Sequence, residues 1–173
     1  MTKLNIISGD ITTIKADAIV CPAHKHLIRG AGVSAQIYDI AGDSLINECN
    51  QLDDCAIGDA VITKAYNLPA KFIIHTVTPM WTGGDQWGAI ALQQLRQCYE
   101  SVIKLAREKG IHTICFPALG AGSNKIPQPM AAHQALDVLE KYADSFDKIT
   151  VSLFTEADKN IWLETQEQFY ALH

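Results

Sequence analysis

Short Val- and Ile-rich runs alternate along this chain with longer stretches of helical periodicity, and that alternation confines it to a layered α/β architecture. The strand candidates are residues 3–8, 18–20, 59–65, 72–77, 113–117 and 148–154. Runs this apolar suit strands covered on both faces. The helix candidates are residues 33–41, 44–51, 88–109, 129–143 and 158–172. In the third, Ile90, Leu95, Cys98, Val102 and Leu105 recur at helical spacing and Gly110 follows as a stop signal. Residues 59–65 and 72–77 read as a hairpin around Tyr66-Asn67-Leu68-Pro69, so the sheet is expected to be mixed. The fold class that follows is a three-layer α/β/α domain with a central mixed sheet. Its 173 residues suffice for one full core, and no repeat, low-complexity stretch or linker marks a boundary, so residues 1–173 are expected to form a single domain.

Two glycine-rich turns stand where strands give way to helices: Arg29-Gly30-Ala31-Gly32-Val33 and Leu119-Gly120-Ala121-Gly122-Ser123-Asn124. In open α/β sheets ligands lie beyond the carboxyl ends of strands, where such loops lead into helices. A loop with little side-chain bulk lets a ligand reach the main chain, and its amides, together with a helix N-terminus, favour anionic oxygens. Two such loops on one domain point to a nucleotide-type diphosphate held from both sides. The net charge of -5 argues against a broad nucleic-acid surface but is compatible with a small anionic ligand in a local pocket.

The five cysteines, Cys21, Cys49, Cys55, Cys98 and Cys115, are odd in number and include no C-x-x-C pair, which suits a reducing compartment. The segment Met1-Thr2-Lys3-Leu4-Asn5 lacks the pattern of a secretory signal, and no apolar run approaches the roughly 18 residues of a membrane span. A cytoplasmic protein with no membrane association is the expectation. Nothing in the sequence calls for a cofactor.

Taken in order, Gly9-Asp10-Ile11-Thr12, Ala16-Asp17-Ala18-Ile19-Val20, Gly30-Ala31-Gly32-Val33, Ala41-Gly42, Gly58-Asp59-Ala60, Tyr66-Asn67-Leu68-Pro69-Ala70-Lys71, Ile74-His75-Thr76-Val77 and Phe116-Pro117-Ala118-Leu119-Gly120-Ala121-Gly122 resemble the macrodomain family. Each motif is weak alone, but their order and spacing extend over nearly the whole chain. The resemblance implies a pocket for ADP-ribose. Taken alone, Asp10 is a turn residue whose side chain can hydrogen-bond nearby amides; the resemblance implies that it binds the adenine amine, with Ile11 beside it. Gly30, Ala31, Gly32 and Val33 would wrap the distal ribose and diphosphate, and Gly120, Ala121, Gly122, Ser123 and Asn124 would close from the other side. Phe154 would pack on the adenosine, or else cap the last strand as a core residue.

The chain departs from the family at the distal-ribose end. Many hydrolytic macrodomains carry N-A-A-N after the second strand; here the segment is Cys21-Pro22-Ala23-His24, which puts His24 at the position of the last Asn. They also tend to have an Asp directly after the first glycine loop, where Ser34 stands here. A second catalytic branch pairs a Lys after a strand of the central hairpin with an Asp in the second glycine loop. Lys64 matches that Lys, or else is a solvated strand-end residue, and Asn124 occupies the Asp position without being able to transfer a proton. Neither catalytic pair is complete. His24 either acts as a general base or hydrogen-bonds a ribose hydroxyl. Cys21, His24 and His26 supply three potential metal ligands without a fourth, so no metal site is expected. His75 reads as a satisfied core histidine, and Trp81 and Trp87 as anchors of the loop between them.

Two functions follow. One is a binding module for ADP-ribose, a related nucleotide or an ADP-ribosylated protein. The other is a hydrolase acting on ADP-ribosylated protein or O-acetyl-ADP-ribose, through His24 or through water activated by the ligand's own diphosphate. Recognition of single-stranded RNA through the adenine site is disfavoured by the absence of a basic, aromatic-interleaved stripe.

Overall fold

The computed structural model describes residues 3–84 and 86–170. Six strands, β1 (Leu4–Ser8), β2 (Ala16–Ala23), β3 (Ala60–Lys64), β4 (Ala70–Val77), β5 (Thr113–Phe116) and β6 (Lys148–Leu153), form one sheet in the order β1-β6-β5-β2-β4-β3. All neighbours are parallel except β3 and β4. The hairpin expected from Tyr66-Asn67-Leu68-Pro69 is that antiparallel pair, with Tyr66 in the left-handed region at φ 53° and the Leu68 amide donating to the Ala65 carbonyl at 3.1 Å.

Side-chain alternation along the strands sorts the core into two layers. Ala18, Val20, Ile74, Ile114, Phe116, Ile149 and Val151 pack under α3 (Gln86–Glu108), α4 (Gln128–Tyr142) and α5 (Glu156–Phe169). Ile19, Cys21, Ile73, Val77 and Cys115 point the other way, under α1 (Val33–Ala41) and α2 (Asp43–Cys49). The three-layer α/β/α arrangement with a mixed sheet is therefore the observed fold. None of the described helices is long and apolar enough to cross a membrane.

The element that differs most from the sequence expectation is β2, eight residues long where the sequence predicts only 18–20. Asp17 and Pro22 mask its ends. The Asp17 carboxylate accepts the amides of His112 and Thr113 at 2.9 and 3.2 Å and so ties β2 to the start of β5. Pro22, which has no amide to donate, sits where one flank of the strand has lost its neighbour. β2 stays in register with β4 from Ala16 to Ala23, but pairs with β5 only at Ala18 and Ile19. Beyond Ile19 the two strands part. The chain leaves β2 toward α1, α2 and β3 at one side of the sheet, and leaves β5 toward α4 and β6 at the other. Adjacent parallel strands whose connections run opposite ways leave a crevice at their carboxyl ends.

Helix boundaries agree closely: α1 begins and ends where expected, and the others differ by one to three residues at either end. α5 ends at Phe169, and the expected extension to Leu172 lies outside the described residues. A short 3-10 turn at Ile11–Thr13 follows β1, where the sequence suggests only a turn.

Candidate functional site

The crevice is a cavity of about 370 Å³ at the carboxyl ends of β2, β5 and β6. Gly30, Ala31, Gly32 and Val33 line one wall. Gly32 is the N-cap of α1 at φ 59°, ψ -126°, a conformation that L side chains rarely adopt, and this turns the chain so that the helix starts at the cavity. The amides of Ala31, Gly32 and Val33 have no intramolecular acceptor among the described residues. Gly30 differs: its amide donates to Ser34 Oγ at 3.0 Å. Ser34 is buried and is thereby committed to holding the loop. Arg29 turns away from the cavity and forms a two-pronged pair with Asp39 across the exposed side of α1, at 2.8 and 3.0 Å.

Gly120, Ala121, Gly122, Ser123 and Asn124 form the opposite wall. Gly120 has φ 79°, and a Cβ placed there would lie 2.7 Å from Ile126 Cδ1 and 3.1 Å from Leu95 Cδ1. The loop is fixed from behind by Tyr99, whose hydroxyl accepts the Leu119 amide at 3.2 Å. Asn124 braces it sideways: Nδ2 donates to the carbonyl and hydroxyl of Thr78 at 3.1 and 2.7 Å, and the backbone carbonyl accepts the Trp81 amide at 2.8 Å. The position that holds a proton-transferring Asp in one catalytic branch is here a brace for the segment after β4. Trp81 packs against Gly88, whereas Trp87 is largely exposed.

The far end is apolar. Ile11 is buried and lines the cavity, and Phe154, 61% exposed, lines it too. An aromatic ring so exposed is not a core residue, which removes the strand-capping alternative. Asp10 stands beside the cavity with one oxygen already engaged. Gly9 and Ile11 on either side of it line the cavity, but Asp10 does not, because its Oδ1 caps the 3-10 turn by accepting the amide and hydroxyl of Thr12 at 2.9 and 2.6 Å. Oδ2 has no partner among the described residues and is the atom available at the rim. Five polar lining residues escape the sequence reading: Gln36, Thr78, Gln128, Ser152 and Asp158. The Thr150/Ser152 alternation against Ile149, Val151 and Leu153 is the legible signal for Ser152; the others depend on loop geometry.

Lys64 requires a correction. It pairs with Phe72 near the start of β4, five residues from Val77 at the cavity end, or roughly 16 Å at about 3.3 Å per residue. Its amide is held by Glu48 on α2, on the side of the sheet away from β5. It cannot be the nucleophile of this cavity. Lys64→Ala should leave melting temperature and ligand affinity within about twofold of the parent, as exposed sites away from special features do. A tenfold loss of binding or turnover would reinstate it.

His24 does line the cavity. Its Nδ1 accepts the backbone amide of His26 at 3.1 Å, and its ring lies 5.1 Å from that of His26. His26 in turn contacts Asp54 at 2.9 Å through Nδ1. Cys21 is fully buried in the core under α1 and α2, and burial pushes its thiol up to about 12, so it is an apolar core residue rather than a thiolate. His75 is only half satisfied: Nε2 meets Thr63 Oγ1 at 2.9 Å, while Nδ1 is buried without a partner among the described residues.

No Lys or Arg lines the cavity among the described residues, so any anion in it must be held by main-chain amides and the α1 N-terminus. The Macro domain profile matches residues 20–135, which contain both glycine loops and the strands that carry them. The chain belongs to the Macro domain family. It is 38% identical over 162 residues to a macro domain-containing protein of Chlorobaculum tepidum, covering 92% of each chain. It is also 38% identical over 172 residues to a protein named ADP-ribose glycohydrolase MACROD2 from Xenopus laevis, covering 97% of this chain but 41% of that one. The chain thus spans about two fifths of that glycohydrolase's length. Among solved structures, a point mutant of the Oceanobacillus iheyensis macrodomain with ADPR superposes at a TM-score of 0.88 with 31% identity, covering 95% of this chain and 92% of the other. The overall fold of this macrodomain is thus shared with that solved relative.

Proposed function

We propose that this macrodomain binds ADP-ribose or an ADP-ribose derivative, free or attached to a protein. The observation that carries the reading is two facing loops across one cavity, with the amides of Ala31, Gly32, Val33, Gly122 and Ser123 unpaired among the described residues and an exposed aromatic ring, Phe154, at the apolar end. The amides suit the diphosphate, Phe154 and Ile11 suit the adenosine, and Asp10 Oδ2 at the rim suits the adenine amine. The related chain solved with ADPR supports the same assignment.

The second reading is hydrolysis of an ADP-ribosyl ester or O-acetyl-ADP-ribose, and the similarity to a named glycohydrolase favours it. With Ser34 locked to Gly30 and Asn124 locked to Thr78, neither supplies a base. On this reading the attacking water is oriented by the ligand's own diphosphate, and the protein contributes positioning.

Calorimetric titration with ADP-ribose, AMP and NAD tests the binding reading, with micromolar ADP-ribose binding as the expected result. Asp10→Asn is the informative variant because it keeps the Oδ1 cap on Thr12 while replacing the free carboxylate oxygen with a donor. Its expected effect is a loss of about tenfold or more in affinity, from a hydrogen bond to a charged group worth ~1.5 kcal/mol or more, with an unchanged melting temperature. Undiminished binding would take Asp10 out of the site.

A further inference from the structure

His24 resolves into one of its two chemical roles once its ring nitrogens are assigned. The turn from His24 to Leu27 is closed by the Leu27 amide donating to the His24 carbonyl at 2.8 Å, with Leu27 at φ 55°. Two further contacts fix it to the segment after α2: the Cys55 amide donates to the Lys25 carbonyl at 2.8 Å, and His26 Nδ1 meets Asp54 at 2.9 Å. Within this clamped turn the His26 amide points at His24 Nδ1. A nitrogen that accepts an N–H bears no proton, so neutral His24 carries its single proton on Nε2. Nε2 makes no hydrogen bond within the protein among the described residues, and His24 lines the cavity.

We infer that His24 is a fixed-tautomer hydrogen-bond donor that presents Nε2–H to an oxygen at the distal end of the bound ligand, and that it positions the ligand rather than acting as a general base. This rests on the ADP-ribose reading of the cavity. A general base needs a free lone pair within reach of the proton it removes. The only lone pair of this imidazole is occupied by the turn, and exposing it costs the His26 hydrogen bond. The same logic explains how His stands where other members carry Asn. An Asn side chain accepts the amide two residues on through its oxygen, as in an Asx turn, and donates outward through its NH2. Imidazole performs both tasks with Nδ1 and Nε2. It reaches further and puts a flat apolar ring against the ligand, so it selects for a ligand with an acceptor oxygen at that end.

Two measurements test this, and each stands apart from the other. Long-range ¹H–¹⁵N NMR of the ligand-free protein at neutral pH should show the His24 proton on Nε2 with Nδ1 in the acceptor range; a proton on Nδ1 overturns the assignment. Titration with ADP-ribose then compares His24→Asn, His24→Ala and His24→Asp. The Asn variant keeps the turn and a donor, Ala loses both, and Asp keeps the turn but offers only acceptors and a negative charge near the diphosphate. The expected order of affinity is Asn over Ala over Asp, with at least fivefold between Asn and Ala and at least tenfold between Asn and Asp. An Asp variant that binds as well as the Asn variant would mean that the ligand donates to His24, and the inference fails. Absence of ADP-ribose binding by the parent protein would sink the proposed function, while the NMR result would still decide the tautomer.

Discussion

Gly120→Ala is expected to lower the melting temperature by about 5–15 °C and to weaken ADP-ribose binding more than tenfold. Two costs add at this position. A φ of 79° is left-handed, and a non-glycine residue held there costs about 1 kcal/mol or more. The new Cβ also enters space already filled by Ile126 Cδ1 at 2.7 Å and Leu95 Cδ1 at 3.1 Å. Both side chains are buried, at 2% and 0% exposure, so neither methyl can swing into solvent, and overpacking costs about 1–3 kcal/mol. The sum is about 2–4 kcal/mol, and ~2–4 °C per kcal/mol for a chain of this size gives the melting shift. The functional loss follows because the Ile126 amide donates to the Gly120 carbonyl at 2.9 Å, so displacing either residue moves the loop that forms the second wall. Adding Ile126→Val removes the nearer methyl. The double variant should recover the packing part of the loss and none of the backbone part. If Gly120→Ala melts and binds like the parent, the second loop is softer than its contacts indicate, and its role as a pre-shaped wall must be abandoned.

The parts of this molecule that are legible in the sequence are those set by local rules. α1 is legible to the residue because Gly32 and Gly42 bracket a clean amphipathic run, both at positive φ in the structure. Both glycine loops stand out because a close approach of main chain to ligand excludes side chains. What escapes depends on neighbours remote in the chain. The length of β2 rests on Asp17 finding the amides of His112 and Thr113, and on Pro22 falling where β5 has already diverged. Lys64 fits a motif spacing, but spacing carries no information about which end of the sheet a hairpin strand starts from. Asp10 is read from the sequence both as a turn residue bonding nearby amides and as a ligand contact, and the turn role is legible because the Asp-x-Thr pattern marks a side chain capping the turn two residues on. The role of Asn124 as a brace is not legible at all, since its partner Thr78 lies 46 residues away.

Acid should destabilise this fold through one residue more than any other, His75. Thr63 Oγ1 donates to the Lys64 carbonyl at 3.2 Å, so toward His75 it offers a lone pair, and Nε2 carries the proton. Nδ1 is left without a partner among the described residues. On its side of the sheet His75 meets the edge of Tyr38, with ring centroids 6.3 Å apart, and Cys21 is its register partner on β2. Neither is a hydrogen-bond acceptor for Nδ1: the Tyr38 hydroxyl is engaged with the Leu27 carbonyl at 2.9 Å, and Nδ1 finds no partner among the described residues. Burial therefore pushes the His75 pKa down to about 4, against about 6.5 in an unfolded chain. Between pH 6.5 and 4 the unfolded state binds this proton and the native state does not, so stability rises with pH across that window and falls as pH is lowered through it. Above pH 6.5 both states are neutral and the residue contributes no pH dependence. At pH 4 and below the loss approaches about 3 kcal/mol, or roughly 6–12 °C of melting temperature. His75→Gln keeps a donor for Thr63 and does not titrate, so its melting temperature should fall much less than that of the parent between pH 6.5 and 4.5. Parallel slopes for the two proteins would assign the acid sensitivity to carboxylates. With Cys21 and Ala23 on the strand that borders His75 and ends at the cavity, a shallower slope in the variant should be matched by ADP-ribose binding that persists to lower pH.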